Sequence, residues 1–145
     1  MFNKFLKTLK WTVISITAIA TLLILGLWIY DIYQRPQLVA NILNIKSPPP
    51  SLEVIDCESP FTTDILTTCM INIAPDDFPK LLSGYQFEET VIQGTSYSEV
   101  FTKVGTEFPV SIHYRIEPKE FEHGGSVNIF TNSAKNMAIV DLYIE

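Results

Sequence analysis

Histidine, cysteine and glycine are all scarce in this chain, with two, two and six residues respectively. His113 and His123 are the whole supply of imidazole, and neither lies in an HExxH or comparable zinc spacing. Cys57 and Cys69 have eleven residues between them, which excludes a CxxC redox pair and a zinc knuckle. The glycines build no P-loop, no dinucleotide fingerprint and no serine nucleophile elbow. EF-hand spacing of acids is missing as well, and GxxxG, the small-residue motif of helix dimers in lipid, does not occur. The longest gap is one of charge: between Lys10 and Asp31 there is none.

That uncharged run, Trp11 to Tyr30, spells WTVISITAIATLLILGLWIY. Twenty residues of α-helix span roughly 30 Å, the thickness of a bilayer's hydrocarbon core. Its polar members are Thr12, Ser15, Thr17 and Thr21, whose hydroxyls can bond back to helical carbonyls and so cost little in lipid. Trp11 at one end, and Trp28, Tyr30 and Tyr33 at the other, give amphipathic rings for both headgroup layers. A soluble core helix would carry a polar face, and this segment has none. A cleaved signal peptide would be shorter and would end at small residues. Ala18-Ile19-Ala20 has that composition but lies mid-run, so cleavage there would leave TLLILGLWIY exposed. The segment therefore reads as an uncleaved anchor in the lipid bilayer. Type IV pilins also join an N-terminal helix to a small sheet domain, but MFNKFLKTLK offers no acid of the kind that usually marks their mature start.

Lys4, Lys7 and Lys10 precede the run, while Asp31 and Arg35 cancel after it. The positive-inside rule then predicts a cytoplasmic N-terminus and an extracytoplasmic C-terminal domain, with a bacterial inner membrane and a periplasmic domain as the favoured setting. Two cysteines in an oxidising compartment predict one disulfide, Cys57–Cys69.

Charge divides unevenly along the chain. Residues 1–35 hold four bases against one acid, and residues 36–145 hold six bases against fifteen acids, a balance of −9. Phosphate repels such a domain, so nucleic acid is excluded as a partner, whereas a basic partner would be steered towards it. Solubility alone accounts for the same balance.

The expected organisation is a cytoplasmic tail (1–10), a transmembrane helix (11–30), a juxtamembrane helix and proline-rich linker (31–50) and an α+β domain (51–145). RPQLVANILNIK places Leu38, Val39, Ile42 and Leu43 on one helical face, either as a separate helix or as a continuation of the anchor past Pro36. Ser47-Pro48-Pro49-Pro50-Ser51 reads as a stiff spacer. Strands are expected at 51–57, 67–74, 85–93, 95–104, 110–117, 126–131 and 137–145. Short helical segments are expected after Ser59-Pro60 and after Asp77, the latter ending at Gly84. In VSIHYRIE, Val110, Ile112, Tyr114 and Ile116 alternate with Ser111, His113, Arg115 and Glu117, and the first set should face the core. Successive strands with short loops favour a mainly antiparallel sheet with one or two short helices.

Site chemistry is thin. His113, with Glu120, Glu122 and His123 of EPKEFEH, supplies metal-capable side chains without metal spacing, and a surface histidine beside a solvated acidic loop explains them more simply. Glu88 and Glu89 are adjacent on a strand and face opposite sides, and Asp76-Asp77 suits helix capping. Ile139 and Tyr143 fall on the other parity of the last strand and, with Ile92 and Phe101, form either an exposed apolar patch for a partner or, preferably, a second buried face beneath a helix. No catalytic residue and no cofactor is expected. The leading function class is a non-enzymatic interaction or accessory module of a membrane or envelope complex. An acidic inhibitor or immunity-type protein with a basic partner comes next, and a small envelope enzyme or metal-binding protein last.

Overall fold

An apolar run followed by RPQLVANI carries no glycine after Gly26, and the chain keeps a single helix through it. In the computed structural model, which describes residues 2–59, 64–96 and 104–145 (side chains of 14–59, 64–92 and 104–145), α1 runs from Phe2 to Ile42. Pro36 lies inside it, so the continuation of the anchor past the proline is what the structure adopts. The chain forms two compact units, residues 1–34 and Arg35–Glu145. In the first, the described side chains face outwards: Leu22, Leu27, Trp28, Tyr30 and Tyr33 are each more than three-fifths exposed. This helix is long and apolar enough to cross a membrane. The side chain of Trp11, the other expected anchor aromatic, lies outside the described residues.

The second unit starts sooner than the proline-rich segment suggested. Val39, Ala40, Ile42 and Leu43 are buried in its core, and Pro49 is buried too. The helix ends in a Schellman motif. Asn44 takes the left-handed conformation (φ 54°), Ile45 N–H donates to Ala40 C=O at 2.9 Å, and Asn44 N–H donates to Asn41 C=O at 3.1 Å. Gly84 abuts this end so closely that a Cβ there would meet the carbonyl oxygens of Leu43 and Asn44.

Beyond the helix come β1 (Glu53–Glu58), β2 (Ile65–Asn72), the short α2 (Phe78–Leu81), β3 (Glu88–Ser96), β4 (Pro109–Ile116), β5 (Gly125–Thr131) and β6 (Met137–Ile144). They form one six-stranded sheet of order β1-β2-β6-β5-β4-β3, with every pairing antiparallel. The α+β class expected from the sequence is the one observed. β3 to β6 make a meander whose last strand returns beside β2, so the C-terminal strand is central and the β1–β2 hairpin extends one side.

One expected turn is absent. Gly94 lies within β3, where the register against β4 shifts between Val91 and Thr95. An isolated glycine in a strand marks an irregular ladder as well as a turn, and here the first role holds. Most of the strand expected at 95–104, with Phe101 in it, and the turn expected at Pro60–Thr63 fall outside the described residues.

The two faces of the sheet are packed differently. On the first, Cys69, Ile71, Tyr114, Val127, Ile129, Ala138 and Val140 meet Val39, Ile42, Leu43, Leu52, Phe78 and Leu81, which come from α1, α2 and the loop before β1. Lys135, in the left-handed conformation in the β5–β6 turn, lies over the Phe78 and Tyr114 rings and donates to Tyr114 Oη at 2.9 Å. On the second face, Met70, Phe130 and Ile139 pack with Val104, Phe108, Val110 and Ile92. Ile139 is fully buried there, beneath Val104 and Phe108 of the segment before β4 and not beneath the expected helix, while Tyr143 is half-buried. Thr106 N–H donates to Met70 Sδ at 3.2 Å, and Gly105 approaches the same side chain, which ties the segment before β4 to the sheet.

Candidate functional site

Antiparallel register aligns residues from different strands into rungs, and residues of one rung share a face. Two neighbouring rungs on the second face differ in chemistry. One reads Asp56, Met70, Ile139, Phe130, His113, Thr90 from β1 to β3. The next reads Glu58, Thr68, Asp141, Asn128, Arg115, Glu88, polar on all six strands.

The middle of the polar rung is buried. Thr68 and Asp141 are each 3% exposed, Asn128 6% and Ser126 8%. Buried polar groups need partners, and these form a connected set. Thr68 Oγ1 donates to Asp141 Oδ1 at 2.8 Å, and Asn128 Nδ2 donates to Asp141 Oδ2 at 3.3 Å and to Ser126 Oγ at 3.1 Å. Asn128 Oδ1 lies 3.0 Å from His113 Nε2. An amide oxygen only accepts, so that ring nitrogen carries the hydrogen. His113 also stacks on Phe130, with centroids 4.3 Å apart and planes 9° from parallel. Burial pushes the Asp141 carboxyl above the ordinary carboxylate range, while hydrogen bonds from Thr68 and Asn128 and the charge of His113 act the other way. At the exposed end, Arg115 donates to Glu117 at 2.7 Å, and Glu88, Arg115, Ile116 and Glu117 line a shallow cavity.

His113 is thus a half-buried, hydrogen-bonded residue and not a solvated surface imidazole. Glu120 lies beside Tyr85, whose hydroxyl is held above its ordinary range by burial and then by that acid. Glu122 and His123 are exposed in the β4–β5 connection. Among the described residues, no three His, Cys, Asp or Glu side chains are grouped as a metal set. Asp77, expected as a helix cap, precedes α2 but makes no side-chain cap bond to it; it accepts from Ser51 Oγ at 2.6 Å and from Lys80 Nζ at 2.6 Å. Those two bonds hold its carboxyl below the ordinary range.

Sequence reasoning overlooked Thr68, Asn128, Asp141 and Ser126. Asn128 and Asp141 interrupt apolar runs (SVNIF, AIVDLYI), which is the signal that was present, whereas Thr68 and Ser126 stand at the start of theirs. Their alignment depends on β6 lying between β2 and β5, and no local pattern carries that strand order.

The remaining constellation is the β1–β2 hairpin. Cys57 and Cys69 are opposed in register with Cα atoms 4.1 Å apart, and their sulfurs are bonded. Cys69 is fully buried and Cys57 partly so, and the bond holds an edge strand to the sheet. A twelve-residue separation corresponds to about 3 kcal/mol of loop-closure stabilisation in the chain-entropy model. Against family models, curated proteins and solved structures, the chain gives no match.

Proposed function

We propose that this protein is a membrane-tethered interaction module, an accessory component of a membrane or envelope complex. The observation that carries this reading is the meeting of an exposed apolar helix with a folded unit that begins at Arg35. Four residues separate Tyr30 from Arg35, so chain length alone keeps the domain at the bilayer surface. Other membrane proteins are the partners within reach there. The three N-terminal lysines support a cytoplasmic N-terminus, and the Cys57–Cys69 bond supports an oxidising compartment such as the periplasm for the domain.

Two experiments test this. A reporter enzyme active only outside the cytoplasm, fused after Glu145, is expected to be active; an inactive fusion reverses the orientation. Affinity purification of a C-terminally tagged chain from gently solubilised, cross-linked membranes is expected to recover one membrane protein in near-equal amount. Recovery of the chain alone overturns the accessory-module reading.

A further inference from the structure

Every open sheet has two edges, and edge strands offer unpaired backbone groups to any strand that can approach them. Here the edges are β1 and β3. Both carry acids, but in different company. On β3, Glu88 is opposed to Arg115, and Glu89 contributes its charge to Lys135. On β1, Glu53, Asp56 and Glu58 face Asn72, Met70 and Thr68, all uncharged. The sequence around β1 is acidic as well: between Lys46 and Lys80 stand Glu53, Asp56, Glu58, Asp64, Asp76 and Asp77, the last of them held by Lys80, and no lysine or arginine. Exposed Ile55, 40% accessible, lies among these acids on the edge strand.

The backbone of β1 has one more feature. Cys57 and Cys69 form a close register pair at 4.1 Å, the spacing of an antiparallel pair that exchanges no backbone hydrogen bonds. The Cys57 N–H therefore points away from β2, towards the open edge. It is not left bare: Asp56 Oδ1 accepts from it at 2.9 Å. The chain thus covers the donor that an incoming strand would need, and covers it with a carboxylate. An acidic strand, including β1 of a second copy, meets like charge and leaves the cover in place. A strand with a lysine or arginine beside Asp56 draws the carboxylate away by a charge-assisted bond and frees the N–H for pairing. The disulfide keeps β1 attached to β2 while this happens.

We infer that β1 is a docking edge for a basic, extended segment of a partner, which adds a seventh strand beside Glu53–Glu58 once its cation takes the Asp56 carboxylate off the Cys57 amide. This rests on the interaction-module reading and names the chemistry of the partner. Backbone pairing gives affinity, and charge decides which strands are admitted.

The test uses the full chain in zwitterionic nanodiscs and three synthetic peptides: alternating lysine and valine, the same peptide N-methylated at alternate amides, and alternating glutamate and valine. The lysine peptide is expected to bind, and NMR-detected hydrogen exchange is expected to show the Cys57 amide protected. The N-methylated peptide keeps the charge but cannot pair, and is expected not to bind; the glutamate peptide likewise. Asp56→Asn is expected to weaken the lysine peptide about tenfold, the scale of one charged hydrogen bond. Asp56→Ala, which uncovers the amide, is expected to admit a neutral threonine–valine peptide that the parent chain refuses. Equal binding of the N-methylated peptide, or binding without protection of Cys57, overturns the inference. A stoichiometric membrane partner that cross-links only outside β1 also overturns it while leaving the interaction-module reading intact. Peptide docking without any recovered membrane partner does the reverse.

Discussion

The two faces of the sheet solve the same burial problem with different chemistry. The first is closed by side chains from α1, α2 and the loop before β1, and its buried members are apolar apart from Thr67 and Thr131, each hydrogen-bonded at its margin. The second buries Met70, Phe130 and Ile139 beside a row that holds Thr68, Asp141 and Asn128. An apolar layer gains stability in proportion to area and tolerates rearrangement of similar volume. A polar row is held only while each donor keeps its acceptor. The first face should therefore set how stable the domain is, and the second how uniquely its strands are registered.

The comparison can be broken on either side. Phe78→Ala removes a ring 1% exposed that packs against Tyr114, and is expected to cost about 3–5 kcal/mol in denaturant unfolding. Replacing both cysteines by serine loosens the edge strand on the same face. It is expected to cost about 3 kcal/mol, with amide exchange rising first in β1 and β2 and least in β5. Asp141→Ala strips acceptors from Thr68 and Asn128 and is expected to cost about 1–3 kcal/mol, with broadened NMR signals in β2, β5 and β6 as the mark of lost register.

The smallest effect sharpens the contrast through pH. Asp141 on the second face has a raised carboxyl pKa, first because it is buried. The folded domain then binds this proton more tightly than the unfolded chain, so lowering the pH through the raised value towards 3.8 shifts the balance in favour of folding. Asp77, beside α2, is depressed by Lys80 and Ser51. Its contribution is present above 3.8 and is lost as pH falls through its folded value. Unfolding curves of Asp141→Asn and Asp77→Asn against the parent should therefore diverge with opposite signs between neutral pH and about pH 3.

Much of the architecture was legible locally. The charge-free run from Trp11 to Tyr30 and the pair Cys57 and Cys69 each carry their own physical signature, and each is found where that signature put it. The alternation in VSIHYRIE holds for Ile112, Tyr114 and Ile116, which pack on the first face, whereas Val110 packs on the second and Ser111 and His113 are half-buried. What was not legible depends on contacts distant in sequence. Val39 and Leu43 read as one apolar stripe of a separate helix or of a continued anchor, and only the packing of Phe78, Leu81 and the sheet makes them core. Asp141 carries no local signal beyond its interruption of AIVDLYI. Its position between Thr68 and Asn128 follows from the return of β6 to β2, a decision made by the whole meander.

The helix terminus at Asn44 bears on how this protein can be turned over. Exposed connections with small and polar residues are ordinary places for a protease to cut a chain. Here a cut between Lys46 and Ser51 would put Val39, Ala40, Ile42 and Leu43 on the anchor fragment, so separation of the two pieces would open the first face of the sheet to water. The released piece would be a damaged domain exposing apolar surface, fit for degradation and not for a second life in solution. Cleavage that spares the fold has to fall on the membrane side of Arg35, within the few residues that follow Tyr30. Shedding by way of the prolines would therefore act as an off-switch.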